Sequence, residues 1–434
     1  MKTFAVSPGL IIISALAALL AACGRSQPLI GAPGAMSHSA ILAERVPHGT
    51  EPIAPGTGPD GRFPVTQLVA ISGKLYGTTR YGGAYCNKHI RRRRGLLGCG
   101  TVFSITTSGA EKLLHSFGKG SDGDGPSSMI SVDGILYGAT SGGGAYGKGI
   151  IFRITTSGEE QVLYSFGQQP DANYPSGLTN VHGTLYGTSG GGIYGLGTVF
   201  SVTTNGAGKV VHSFGQGCGA SCAGGSGPSG ALLDLGGRLY GTTGKGGAAN
   251  EGVVFSMSKT GRTKALYSFS FGQNGKSAGA NGGMIDVDGI LYGTTAAGGK
   301  YGEGTIYSVT TNGVQVLHNF SNCKRRVDGA LPLGPLIDVN GKLYGTTLWS
   351  GSNASCYYYE GTGTVFSTTP SGREKVLHTF GKSTSAYNGS SPGTALTELN
   401  GILYGTTVEG GTCGHGTVFS ITLNGTFEVL YSFC

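Results

Sequence analysis

Gly289-Ile-Leu-Tyr-Gly-Thr-Thr295, the pair Gly298-Gly299, Gly304-Thr-Ile-Tyr-Ser-Val-Thr-Thr311 and Val316-Leu-His-Asn-Phe320 form the stretch that decides the fold, because the chain writes it seven times. Its Leu-Tyr-Gly mark begins at Leu75, Leu136, Leu185, Leu239, Leu291, Leu343 and Leu403, with spacings between 49 and 61 residues. A unit of that length is one supersecondary element. It cannot bury its apolar face alone, so successive copies must stack. The second copy shows the parts. Run A is Ser128-Met-Ile-Ser-Val132, closed by Asp133-Gly134, and run B is Ile135-Leu-Tyr-Gly-Ala-Thr140, closed by Gly142-Gly-Gly144. Run C is Gly149-Ile-Ile-Phe-Arg-Ile-Thr155, closed by Ser157-Gly158, and run D is Gln161-Val-Leu-Tyr-Ser-Phe166. Short runs rich in β-branched and aromatic residues and bounded by Gly, Asp, Asn or Ser predict strands. The Asp/Asn/Ser-Gly links predict A–B and C–D hairpins.

Four strands repeated seven times predict an all-β chain folded as a seven-bladed β-propeller of four-stranded antiparallel blades, a ring that protects its sheet edges. An open β-solenoid is the alternative. Glycine is unusually abundant, 84 of 434 residues, which elsewhere signals disorder. Here the glycines fall at fixed places between apolar runs and mark turns. Three aromatic positions recur: the Tyr of Leu-Tyr-Gly (Tyr76 to Tyr404), the Phe of run C (Phe103 to Phe419, with Tyr307 in the fifth copy) and the Phe ending run D (Phe117 to Phe433). Because every copy carries them, packing between neighbouring sheets is expected rather than ligand stacking.

Gly-x-Leu-Tyr-Gly-Thr-Thr, Gly-Gly, Gly-Thr-Val-Phe-Ser and Val-Leu-His-Ser-Phe together resemble the bacterial tandem repeat called GloVer (Gloeo/Verruco), over residues 60 to 434. That resemblance implies an exported, repeat-built protein with varied anchors and no assigned catalytic residues. The pairing of runs A and B is more loosely similar to NHL-type propeller repeats.

Residues 1–23 read as an export signal: Lys2, an apolar run from Leu10 to Ala22, then Leu20-Ala21-Ala22-Cys23, which resembles a bacterial lipobox. Cleavage would leave Cys23 as a lipidated first residue, and the absence of Asp after it points to the outer membrane or cell surface. Residues 24–58, rich in Pro, Gly, Ser and Ala, read as a flexible tether. The propeller is expected over 59–434, as a monomer held to the membrane through the N-terminal lipid. An exported chain is not expected to bind nucleic acid, although a basic run alone would suggest it.

In a propeller the B–C and D–A links share one face. From the Gly of Leu-Tyr-Gly to the Gly opening run C takes 11 residues in copy two (138 to 149), but 23 in copy one (77 to 100) and 18 in copy six (345 to 363). Both insertions fall on that face. So do the eight remaining cysteines, for which we expect the local disulfides Cys86–Cys99, Cys218–Cys222, Cys323–Cys356 and Cys413–Cys434.

Candidate sites follow from departures from the repeat. The copy-one loop holds Lys88, His89, Arg91, Arg92, Arg93 and Arg94, and these arginines supply half of the formal charge of +8. It reads either as a contact for an anion or acidic glycan or as a solvated loop tip. The copy-six loop holds Trp349, the sole Trp, with Tyr357, Tyr358 and Tyr359. It reads either as a loop packed on itself around Cys356 or, as the preferred binding element, as a contact for a glycan or a surface protein. In run A, Asp234, Asp286, Asp338 and Glu398 occupy one repeat position. They would either line one end of the channel and hold Ca²⁺, the only cofactor the residues suggest, or accept hydrogen bonds from nearby turn N–H groups. His115, His212, His318 and His378 alternate with Tyr in run D and read as structural, as do the Asp-x-x-x-Pro elements beginning at Asp60, Asp122, Asp171 and Asp328. No nucleophile-elbow, zincin or P-loop motif is present. A non-enzymatic binding or scaffold protein is the leading expectation; a carbohydrate-active hydrolase or lyase using the channel carboxylates is the alternative.

Overall fold

The computed structural model describes residues 60–85, 99–168, 172–218, 222–270, 283–310, 313–321, 328–349, 362–381 and 388–434. The expected signal 1–23, with Cys23, and the tether 24–58 lie outside them. The described chain forms seven sheets in chain order, each antiparallel with neighbours A-B-C-D, as a seven-bladed β-propeller requires. Blade 2 is representative, with strands Gly123–Val132, Ile135–Gly143, Ile150–Ile154 and Glu160–Ser165. In blade 1 the inner strand is split into Arg62–Pro64 and Val69–Ile71, both paired to Lys74–Tyr81. Among the described residues no helix is long and apolar enough to cross a membrane.

All seven A–B hairpins close on two residues of positive φ, such as Asp133 (+52°) with Gly134 (+77°) and His182 (+50°) with Gly183 (+79°). Two consecutive left-handed residues make the turn whose twist matches that of the flanking strands. Glycine at the second place lets the backbone sit there without strain.

The Gly of Leu-Tyr-Gly has a different task. It lies opposite the aromatic residue of run C in the B–C ladder, as Gly138 opposite Phe152. A Cβ on Gly138 would stand 2.3 Å from Phe152 Cζ, and the other six copies give 2.4–2.7 Å to the equivalent ring. The tip of each run-C ring therefore lies against the bare backbone of strand B. Its edge meets the run-D Phe of the preceding blade. The pairs Phe117–Phe152, Phe166–Phe200, Phe214–Phe255, Phe269–Tyr307, Phe320–Phe366, Phe380–Phe419 and Phe433–Phe103 have centroids 4.9–5.4 Å apart and planes at 64–69°. This edge-to-face geometry brings the positive ring edge to the negative ring face. The rings are fully buried, and the seventh pair joins the last blade to the first.

Closure needs no strand exchange, since every blade is contiguous in sequence. Besides Phe433–Phe103, the Tyr431 hydroxyl donates to Asp60 at 2.7 Å and the Phe63 N–H donates to His415 O at 2.9 Å. The paired hydroxyls after Leu-Tyr-Gly are buried and internal. The second of each pair reaches the start of run C, as Thr295 with Thr305 (2.9 Å) and Thr407 with Thr417 (2.8 Å). The first reaches the inner strand, as Thr346 donating to Thr394 O of the next blade at 2.9 Å. They complete strands and offer nothing to a ligand.

Two expected outcomes test this packing. Gly138→Ala should cost about 1–3 kcal/mol through overpacking, whereas Gly224→Ala, where an added Cβ meets nothing within 4 Å, should fall within about 0.5 kcal/mol of wild type; denaturant midpoints compare them. Cys434→Ser opens the Cys413–Cys434 loop, of sequence separation 21, and should cost about 3 kcal/mol, read as a drop in non-reducing thermal midpoint.

Candidate functional site

The face formed by the B–C and D–A links carries the described cysteines. Cys218–Cys222 and Cys413–Cys434 are disulfides, as their positions in the repeat predict. Cys99 is disulfide-bonded as well; Cys86, Cys323 and Cys356 lie outside the described residues. So do Lys88, His89, Arg91, Arg92, Arg93 and Arg94 of the basic loop, and Tyr357, Tyr358 and Tyr359 of the aromatic loop. Trp349 is described, and it stands at the root of its insertion rather than the tip. Its backbone bridges Ala330, exchanging hydrogen bonds of 2.9 and 3.1 Å, and its ring packs beside Ala296, Leu333 and Leu348. It occupies the repeat position of Tyr81, which pairs with Arg62 in the same way.

The run-A carboxylates stand by the A–B turns, on the opposite face. Glu398 accepts the Gly401 N–H at 2.6 Å, as Asn180 accepts that of Gly183 at 3.0 Å. Asp234 lies 3.5 Å from Lys259 Nζ. Asp338 is exposed, and Asp286 is half-buried with one oxygen shielded from water and without a hydrogen bond. Among the described residues no group of three of these carboxylates converges to metal-ligand distance. The structure therefore does not bring Asp234, Asp286, Asp338 and Glu398 together as a cation ring; it gives Glu398 the turn-bonding role.

The central cavity, about 150 Å³, is lined instead by uncharged run-A residues of all seven blades, among them Gln67, Ser128, Ser176, Ser229, Gly283 and Thr394. Its wall is tight because inner strands crowd one another: a Cβ on Gly177 would stand 2.1 Å from Gly230 O. Hydroxyls bond across the crowding, as Ser127 donating to Pro175 O at 2.7 Å. Such a wall supplies neither acid nor base.

The feature that sequence reasoning missed lies on the cysteine-bearing face. The residue one place beyond Gly-Gly-x is Tyr in four copies, and Tyr85, Tyr146, Tyr194 and Tyr301 are each 43–47% exposed. In blades 2 and 3 the Tyr packs its Cβ over the glycine that follows the run-D Phe: a side chain on Gly167 or Gly215 would stand 2.6–2.7 Å from it. That holds the phenol outward. Blade 7 replaces the same pair of positions with the Cys413–Cys434 disulfide. Cations flank the rings. Lys119 Nζ is 5.7 Å from the centre of Tyr85, Lys300 Nζ 5.2 Å from Tyr301, and Lys148 Nζ 5.7 Å from Tyr174, another exposed phenol of this face. The signal was in the sequence, but Ala249 and Cys413 break the series, and a period cannot tell an exposed ring from a buried one.

No curated protein matches the chain in sequence. Among solved structures, a puromycin-hydrolysing peptidase of Mycobacterium tuberculosis superposes with a TM-score of 0.53 at 14% identity, over 88% of this chain and 55% of that one. The chain thus spans little more than half the length of that peptidase. Virginiamycin B lyase from Staphylococcus aureus gives a TM-score of 0.48 at 15% identity, over 80% of this chain and 91% of that one. At these identities the likeness is one of fold. A sequence profile of the Gloeobacter/Verrucomicrobia repeat matches residues 88–281 and 228–434. Those matches run through the blades described above, and the chain belongs to the Gloeobacter/Verrucomicrobia repeat family.

Proposed function

We propose that this chain is an exported, lipid-anchored binding protein that takes an acidic glycan on its B–C/D–A face. The observation that carries the reading is the set of four equivalently placed, half-exposed tyrosines on that face. Exposed phenols in register present flat apolar faces and a hydroxyl rim, which suit sugar rings. The lysines beside them, Lys119, Lys148 and Lys300, add positive charge that attracts uronate or sulfate groups. The disulfides fit an oxidising compartment, which supports export through the lipobox ending in Cys23.

The alternative, a carbohydrate-active hydrolase or lyase working through Asp234, Asp286, Asp338 and Glu398, has less to rest on. Those groups stand at separate turns, and propeller likeness to hydrolases is likeness of fold.

Affinity electrophoresis against an immobilised polyuronate tests the ligand. Wild type should be retarded at low salt, and Tyr146→Ala/Tyr194→Ala/Tyr301→Ala should bind at least about tenfold more weakly with an unchanged thermal midpoint. Equal retardation of variant and wild type would overturn the site, and no retardation of wild type would overturn the ligand class. For the anchor, cells fed labelled fatty acid should yield labelled wild type and unlabelled Cys23→Ser in the soluble fraction; an unlabelled wild type rules the anchor out.

A further inference from the structure

Three repeat positions meet at two of the outer blade junctions: the His two places before the run-D Phe, a residue in the D–A link that follows, and the residue six places before the run-D Phe of the next blade. Between blades 1 and 2 these are His115, Asp122 and Glu160; between blades 5 and 6 they are His318, Asp328 and Glu374. In each group one ligand atom per residue lies within 4.8 Å of the other two. His115 Nε2 is 3.0 Å from Asp122 Oδ2, and His318 Nε2 is 2.9 Å from Asp328 Oδ2. The second oxygen of each aspartate is held by a backbone N–H, from Gly123 at 2.6 Å and from Ser321 at 2.8 Å. Each imidazole is fixed against a ring of the Phe wheel, Phe117 at 4.8 Å and Phe320 at 4.9 Å. A nitrogen and an oxygen ligand are therefore set in place before anything binds.

The glutamate is the informative member. The propeller does not need it, since the same position holds Gly208, Thr263, Val314 or Phe427 in other blades. The three glutamates there each face an aspartate: Glu111 with Asp60, Glu160 with Asp122, Glu374 with Asp328. Two carboxylates in a shielded junction repel one another. Glu160 is such a case, and one of its oxygens is shielded from water without a hydrogen bond. A cation between the two acids removes the repulsion and satisfies that oxygen. Where the acids are missing, the histidine turns apolar. With Asn388 at the aspartate's repeat position and Phe427 at the glutamate's, His378 stacks flat on Phe427 at 3.8 Å, and burial pushes its ring down to about 4.

We propose that His115-Asp122-Glu160 and His318-Asp328-Glu374 are two structural sites for a divalent cation of the zinc class, each tying one blade to the next. One imidazole and two carboxylates leave a fourth tetrahedral position for water. Ca²⁺, which takes six to eight oxygens, fits this donor set poorly. The junction between blades 7 and 1 is the internal contrast. It has the two acids, but Tyr431 stands where the histidine would be and donates to Asp60 at 2.7 Å, so it has no nitrogen ligand.

Calorimetric titration of Zn²⁺ into the metal-depleted, untagged full chain tests the proposal. Wild type should take up one equivalent at each of these two groups and gain thermal stability. His115→Tyr and His318→Tyr install the residue that Tyr164, Tyr267 and Tyr431 hold at the same position, so the blades remain foldable. Each should remove one equivalent, and the double variant should bind none at these sites. Glu160→Gln should weaken uptake at the first site while leaving the second intact. A wild type that takes up no Zn²⁺, or a double variant that binds as wild type does, overturns the proposal.

Discussion

One contact recurs at every junction of the ring: the run-C aromatic ring with its tip against a glycine backbone and its edge against the run-D Phe of the preceding blade. Much else follows from it. The glycine in Leu-Tyr-Gly is required because any side chain there would collide with the ring. An aromatic ring suits the place because it reaches the bare glycine backbone with its tip and still meets the next sheet's Phe edge to face. The contact is the same at the Phe433–Phe103 junction as at the other six, so the ends of the chain meet on the terms that join any two blades. This explains how the propeller closes without exchanging a strand.

Polar groups obey the same arithmetic. A buried hydroxyl must find a partner, and the paired threonines meet this by bonding run C and the inner strands. The inner strands then approach so closely that the channel narrows to a small uncharged cavity. Chemistry is thereby displaced from the centre to the rims. The tyrosines stand on one face and the His-Asp-Glu groups at the outer junctions, where the repeat tolerates change without disturbing the aromatic wheel.

The fold was legible almost completely, because each of its devices is local and repeated seven times. Leu-Tyr-Gly, the two-residue turns and the fixed aromatics all carry information within a single copy. The Cys413–Cys434 pair was legible for a related reason: the register placed both residues in links of one face. Site residues were less so. An insertion follows Trp349 and gives it the look of loop in the sequence, yet it belongs to a β-bridge. For the run-A acids the sequence leaves two roles open, channel lining or turn bonding; Glu398 takes the second, because the direction of a side chain near a turn is set by tertiary packing. Periodicity gives the run-D histidines a structural look in the sequence. Their aspartate partners fall in separate loop elements, and nothing in the linear order joins either to a glutamate on the following blade.

By itself, then, the sequence determined the blade: its four strands, its turns and the aromatic contact that makes copies cohere, since these depend on residues near one another in the chain. The tertiary structure decided which groups from different blades become neighbours and which rings remain exposed. Those properties depend on closure of the ring. Closure sets distances between residues tens to hundreds of positions apart, as between Asp60 and Tyr431, and no local pattern encodes such distances.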